Sequence, residues 1–315
     1  MLKRVFLFPG QGSQSIGMMA DFIERYDEVK TLFKRASDAL GYDLTNIISI
    51  GPIEQLNKTE CTQPAMLVAG VAAWKVLRIN TQHKPVLLAG HSLGEYTALV
   101  CGGALQFEDA VKLVAERGRL MQSAVPEGVG AMAAILGLDD AQIIAVCAQA
   151  SDKNSIVQAV NFNSPGQVVI AGHAAAVDKA MELLKAAGAK RTLKLPVSVP
   201  SHSALMTDAA KQLGERLASI KIQTPDIPVL QNFDARAHTA PTEIAACLQK
   251  QLYNPVLWVD TVTNLFTGTG VQATVECGPG KVLAGLNKRI HKDGEHYSID
   301  SMDNMNKFIA ALETA

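Results

Sequence analysis

The sequence predicts an α/β fold with a mostly parallel sheet, interrupted by a small domain, on three observations. Short apolar runs alternate with helical patterns toward both ends of the chain, the grammar of a sheet covered by helices. Three of those runs close on glycine-rich turns: Pro9-Gly10-Gln11-Gly12-Ser13, Gly90-His91-Ser92-Leu93-Gly94 and Gly278-Pro279-Gly280. Between them the chain changes style, to the order strand-helix-strand-strand-helix-strand.

The elements follow in order. Val5 to Phe8 is an apolar run stopped by Pro9, a buried strand entering a loop. Helical patterns run from about Ile16 to Leu40 and from about Pro64 to Leu77. Val86 to Ala89 is a second buried strand, passing at once into the Gly90–Gly94 turn and a helix-forming stretch. In the middle, Ala131 to Leu136 predicts a strand, and Asp139 to Ala150 a helix with Asp139 at its N-cap. Ile156 to Val160 and Gln167 to Ala171 are strands joined through Asn163-Ser164-Pro165-Gly166. Ala174 to Ala187 is a helix ended by Gly188, and Arg191 to Leu195 a strand before Pro196. Ala273 to Glu276 then repeats the first grammar, with a helix from Val282 to Ile290. The middle order is the split βαβ pattern of a ferredoxin-like domain. Boundaries near Gly128 and Pro196 make it an insert, residues 128–197, in a discontinuous larger domain, residues 1–127 and 198–315.

Composition narrows the function. The 315 residues are 48% apolar and 19% charged, enough for a substantial core in about two domains. Lys plus Arg is 29 against 30 Asp plus Glu, a net charge of −1. That balance argues against a general nucleic-acid or membrane-surface binder. The five cysteines, Cys61, Cys101, Cys147, Cys247 and Cys277, have neither zinc-knuckle nor CxxC spacing and are expected to be reduced thiols. With no HExxH motif and no clustered Cys/His set, no metal site is expected. The start, Met1 to Pro9, resembles a signal only briefly, because its apolar run stops at Pro9, too short for a signal core, and no run approaches the roughly 20 apolar residues of a membrane span. A soluble cytoplasmic protein is expected.

Gly90-His91-Ser92-Leu93-Gly94 fits G-x-S-x-G between a buried strand and a helix. That is the setting of a nucleophile elbow, where a strained serine exposes its hydroxyl; the bland alternative is a serine capping a helix. The hydroxyl needs a base, and there are seven histidines. His91 adjoins Ser92, and neighbours around a sharp turn point apart. His173 belongs to the insert, while His83, His238, His291 and His296 sit in polar stretches that suggest solvated surface. His202, in Pro200-Ser201-His202-Ser203, stands where the chain returns from the insert and starts a helix, whose dipole favours a neutral ring. Arg117 is the most informative charge. At about 100° per residue it falls inside the apolar stripe of Ala110, Leu113, Val114, Gly118 and Met121, away from Lys112, Glu116 and Arg119. A buried guanidinium needs an anion, supplied either by a protein carboxylate or by a ligand carboxylate held bidentately. The first loop fails as a Rossmann fingerprint or a P-loop; donation of backbone N–H groups to an oxyanion is the alternative use.

Together these motifs resemble the malonyl-CoA:acyl carrier protein transacylases. The resemblance is carried by Phe8-Pro9-Gly10-Gln11-Gly12-Ser13, Thr62-Gln63-Pro64-Ala65, Gly90-His91-Ser92-Leu93-Gly94-Glu95-Tyr96 and Glu116-Arg117-Gly118. It continues through Asn161-Phe162-Asn163-Ser164-Pro165-Gly166-Gln167, Val199-Pro200-Ser201-His202, Gln251-Leu252-Tyr253-Asn254-Pro255 and Gly278-Pro279-Gly280-Lys281, spanning almost the whole chain. It implies an α/β-hydrolase-like core around the ferredoxin-like insert and a transferase of type II fatty acid synthesis. The implied roles are Ser92 as acylated nucleophile, His202 as base, the N–H groups of Gln11 and Leu93 as oxyanion hole, and Arg117 as holder of the malonyl carboxylate. The Gln251 carbonyl would orient the histidine, and Gln63, Asn161, Asn163 and Ser201 are further pocket candidates. Val199-Pro200-Ser201-His202 resembles the malonyl-selective enzymes, not the Tyr-Ala-Ser-His pattern of methylmalonyl-selective domains.

The expected substrates are malonyl-CoA and holo acyl carrier protein, with no cofactor, no metal, no nucleic acid, no membrane and a monomeric state. An acidic carrier protein would dock on basic residues near the site mouth, with Lys185, Lys190, Arg191, Lys281, Lys288 and Arg289 as candidates. The competing readings are a serine hydrolase or thioesterase, which gives Arg117 no task, and a scaffold retaining the fold, which would be expected to have lost Ser92, His202 or Arg117.

Overall fold

The computed structural model describes residues 3–126 and 128–313; Met1, Leu2, Glu127, Thr314 and Ala315, which the expected domain bounds include, lie outside them. Among the described residues, nine strands form two sheets. Their ranges are β1 Arg4–Phe8, β2 Leu87–Gly90, β3 Gly130–Leu136, β4 Val157–Ser164, β5 Gln167–His173, β6 Arg191–Lys194, β7 Val229–Leu230, β8 Ala273–Cys277 and β9 Glu295–Ile299. The first sheet has the order β7-β2-β1-β8-β9. Its pairings β1–β2, β1–β8, β2–β7 and β8–β9 are all parallel. Every residue of β1 and β8 is buried, because helices cover both faces and parallel strands then read as unbroken apolar runs.

The second sheet has the order β4-β5-β3-β6, with antiparallel pairings throughout. Its strands alternate. Ala131, Ala133, Ile135, Val168 and Ile170 face the helices Asp140–Ala150 and Ala174–Ala186, whereas Met132, Val160, Val169 and Ala171 form a cluster of their own. Period-two alternation is what sends these residues to opposite faces. Leu195 and Val197 pack on that second cluster and, with Met132, border the cavity described below.

Several boundaries differ from the sequence expectation. The helix expected from Ile16 to Leu40 is two, Ala20–Arg25 and Asp27–Leu40, broken by an extended Tyr26. The helix expected from Pro64 starts earlier, at Thr59, and runs to Asn80 with Pro64 inside it. Proline is favoured at a first turn, but burial of Cys61, Thr62 and Gln63 extends the helix past it. Ser164 belongs to β4, so the β4–β5 turn is Pro165-Gly166 alone, with Gly166 at φ 71. Asp139 caps its helix as expected, in a reciprocal capping box with Gln142. The helix Val282–Ile290 has the expected ends.

Candidate active site

The parallel sheet delivers the site from the carboxyl ends of its strands, where open α/β sheets place their sites. β1 ends at the Pro9–Ser13 loop, β2 two residues before Ser92, and β7 two residues before Asn232. Ser92 has φ 52 and ψ −107, a left-handed conformation costing on the order of 1–3 kcal/mol for a residue with a side chain. The flanking glycines are dictated by contact. A Cβ on Gly90 would lie 1.9 Å from the Gly94 carbonyl carbon, and one on Gly94 would lie 1.9 Å from Phe8 O. Strand, turn and helix meet backbone to backbone, which pushes the serine outward. Ser92 N–H is held by Asn232 Oδ1 at 2.6 Å, and Asn232 Nδ2 donates to Gly90 O at 2.7 Å.

His202 lies 2.8 Å from Ser92 Oγ through Nε2, and its Nδ1 lies 2.7 Å from the Gln251 carbonyl. A carbonyl only accepts, so Nδ1 carries the proton and Nε2 presents its lone pair to the hydroxyl. Among the described residues no acid hydrogen-bonds to His202. His202 is 2% exposed and has φ 64. Burial, then the charge of Arg117, drives its imidazolium form down to about 3. The ring is therefore neutral mainly because it is buried beside a cation; the helix dipole is not the main cause.

Arg117, on the helix Phe107–Ser123, is 1% exposed. Nη1 donates to Gln63 Oε1 at 2.9 Å, and Nη2 donates to Gln251 Oε1 at 2.9 Å and to Ser92 Oγ at 3.3 Å. Its guanidinium also lies 5.3 Å from the Tyr96 ring centroid. Among the described residues it forms no ion pair with a carboxylate. Of the two partners left open by the helical wheel, a protein carboxylate makes no direct contact; neutral amides hold the cation beside the serine, with the buried Glu95 one amide away through Gln251.

A cavity of about 550 Å³ opens over these groups, bordered by Gln11, Leu93, Asn161, Ser201 and Val197. As the first residue of its helix, Leu93 has no intrahelical partner for its N–H. Asn163 is not among the residues bordering the cavity: its Oδ1 accepts from His91 Nε2 at 2.8 Å, and the His91 ring lies 5.4 Å from that of Trp258. His83, His238, His291 and His296 are half-buried, not solvated as their polar surroundings suggested, with His296 Nε2 2.8 Å from His291 O.

Sequence reasoning missed Asn232, Glu95 and the side chain of Gln251. Gln251 Nε2 donates to Ser92 O and to Glu95 Oε2, both at 2.9 Å. The local signal for Asn232 is weak, because the polar pair Gln231-Asn232 follows an apolar run of only two residues, Val229-Leu230. The fold also gathers Asp234, His238 and Cys247 within 4.8 Å, a grouping their spacing did not disclose. Both His238 nitrogens already face carboxylates, Asp234 at 2.8 Å and Glu243 at 3.4 Å, and burial pushes the Cys247 thiol up to about 12. No metal is assigned there. The five cysteines are all free, and among the described residues no helix is long and apolar enough to cross a membrane.

The chain matches the family described as acyl transferase domain over residues 5–307. It is 55% identical over 307 residues to the malonyl CoA-acyl carrier protein transacylase of Haemophilus influenzae, covering 97% of this chain and 98% of that one. The structure of the transacylase of that name from Coxiella burnetii superposes with a TM-score of 0.96 at 45% identity, over 98% of this chain and 97% of the other. A structure of a type II PKS acyl-carrier protein in complex with its malonyl-transacylase contains a chain with a TM-score of 0.96 at 48% identity, over 98% and 99% of the two chains.

Proposed function

The chain belongs to the acyl transferase family, among its malonyl CoA-acyl carrier protein transacylases, and from that premise we propose that it carries a malonyl group from coenzyme A to an acyl carrier protein through an ester on Ser92. Arg117 is the observation that carries the reading. A buried cation with neutral hydrogen-bond partners, 3.3 Å from the nucleophile, touches no carboxylate directly among the described residues, and its burial favours one at the guanidinium. A malonyl group on Ser92 supplies one, and the planar guanidinium suits a carboxylate.

Neutral His202 takes the Ser92 proton as Oγ attacks the thioester carbonyl. The N–H groups of Gln11 and Leu93 hold the oxyanion, each worth about 2.7–4 kcal/mol if it acts as such donors do elsewhere. His202 then gives its proton to the departing sulfur. In the second half the carrier protein's thiol enters, His202 deprotonates it, and the malonyl group leaves Ser92. One thioester replaces another, so the exchange needs neither a cofactor nor a metal. Arg117 fixes the far end of the acyl chain so that its carbonyl meets the nucleophile in line. A hydrolase would share Ser92 and His202 but would have no use for the cation.

We read the parallel sheet with its serine turn as an α/β-hydrolase-like core and the antiparallel unit as ferredoxin-like. One chain supplies every group of the chemistry, which supports a monomer, and the free thiols support a cytoplasmic setting. The carrier-protein face is proposed near Lys281, which follows Gly280, packed on Ser13 of the first loop, and near the exposed Lys288 and Arg289.

Labelled malonyl-CoA with holo carrier protein should give labelled carrier protein, with acetyl-CoA competing poorly; release of free malonate without transfer would indicate the hydrolase. In the same assay, reversing the charges of Lys281, Lys288 and Arg289 together should raise the carrier-protein KM and leave the malonyl-CoA KM unchanged. An unaltered carrier-protein KM would remove this docking face. His202→Ala should lower transfer by about 10²–10⁴-fold, and near-normal turnover would point to His91 as the base.

A further inference from the structure

Glu95 takes no part in the chemistry above, yet it lies directly beneath it. It is 0% exposed, on the helix Leu93–Cys101. Its Oε2 accepts from Asn232 N–H at 2.7 Å and from Gln251 Nε2 at 2.9 Å. Its Oε1 is also buried and has no hydrogen-bond partner among the described residues. The Gln251 amide continues the network, because its Oε1 accepts from Arg117 Nη2. An acid and a guanidinium thus share one buried network with a single amide between them.

Burial pushes the Glu95 carboxyl up to about 7, against the pull of the two N–H donors and of Arg117. Asp234, from the segment after β7, raises it further. The other titratable groups facing it are Tyr96 on the same helix and Cys247 on the helix Pro241–Gln251. Both of those are held in their neutral forms by burial.

A malonyl ester changes this balance. Its carboxylate on Arg117 brings a second anion to a network that holds one cation, and like charges at close quarters disfavour each other's ionisation. On the malonyl chemistry proposed above, we infer that Glu95 is the counter-charge of Arg117 in the free enzyme and takes up a proton from solvent when the acyl carboxylate replaces it. The step balances. The Ser92 proton leaves with the coenzyme A thiol by way of His202, and one solvent proton turns the Glu95 carboxylate into a carboxylic acid. The free oxygen, Oε1, receives that proton while Oε2 goes on accepting both N–H groups, so the network survives the change. Glu95 is in these terms a positioning and charge-balancing residue that matches the site to an anionic acyl group.

The test mixes the whole protein with one equivalent of malonyl-CoA in weak buffer containing a pH indicator, with parallel samples quenched for mass analysis. Near pH 7, where such an acid is half ionised, uptake should be about half a proton per ester formed, rising toward one by about pH 8 and small near pH 6. Glu95→Gln, which keeps the shape and the accepted N–H bonds, should form the ester without this uptake. It should also flatten the pH dependence of the malonyl-CoA KM. An ester formed by the wild-type protein with no uptake, or with equal uptake in Glu95→Gln, overturns the inference and leaves the transfer chemistry standing. Failure to form any ester on Ser92 overturns both. The wild-type measurement decides even if the variant does not fold.

Discussion

Ser92→Ala is expected to lower malonyl transfer by on the order of 10⁴–10⁶-fold, the scale on which a nucleophile acting with its base is lost. The alanine removes both the atom that would carry the acyl group and the partner of His202 Nε2 at 2.8 Å. What remains is binding and backbone donors. The backbone should hold, because the turn is set by the contacts of Gly90 and Gly94 and by the Asn232 bond to the residue 92 N–H. Unfolding of the variant by heat should therefore resemble that of the parent. Steady-state transfer to carrier protein checks the prediction, and activity within tenfold of the parent would contradict it.

Arg117→Ala is expected to separate the acyl groups. Truncating one partner of a buried charged contact costs about 2–5 kcal/mol, so kcat/KM for malonyl-CoA should fall by on the order of 10²–10³-fold. Acetyl-CoA has no carboxylate to lose, and its slower transfer should change far less. The variant also strands the Gln63 and Gln251 acceptors, at about 1–3 kcal/mol each if they find no water. A loss of stability is thus expected as well, and Arg117→Lys serves as the control that keeps the charge without the fork. Equal losses for both thioesters would make Arg117 a structural residue and remove the basis for a dicarboxylic acyl group.

What could be read from the sequence was whatever is encoded locally. The elbow needs only five consecutive residues, Gly90 to Gly94, and their order states its geometry. Arg117 shows itself because a helix repeats every few residues, so one charge in an apolar stripe is visible without any neighbour. The small sheet was legible from period-two strands and from the Asp139 cap. The base of the site was not. Asn232 meets Ser92 across 140 positions of chain, and Gln251 meets Glu95 across 156. Nothing local distinguishes such an amide from any other polar residue beside a strand or helix end. β7, two residues long, carries too little pattern to be seen. Asn163 shows the converse error. A motif placed it in the pocket, yet its side chain supports His91. The half-buried histidines were misjudged for the same reason, because polar neighbours in sequence do not imply solvent once helices pack around them.

Peptide mapping by mass spectrometry, after brief incubation with malonyl-CoA and acid quench, measures the decisive bond itself. One malonyl group per chain, confined to the peptide that contains Ser92 and removed on adding holo carrier protein, is the predicted result. An unmodified Ser92 in protein that still transfers malonyl at its normal rate would contradict it.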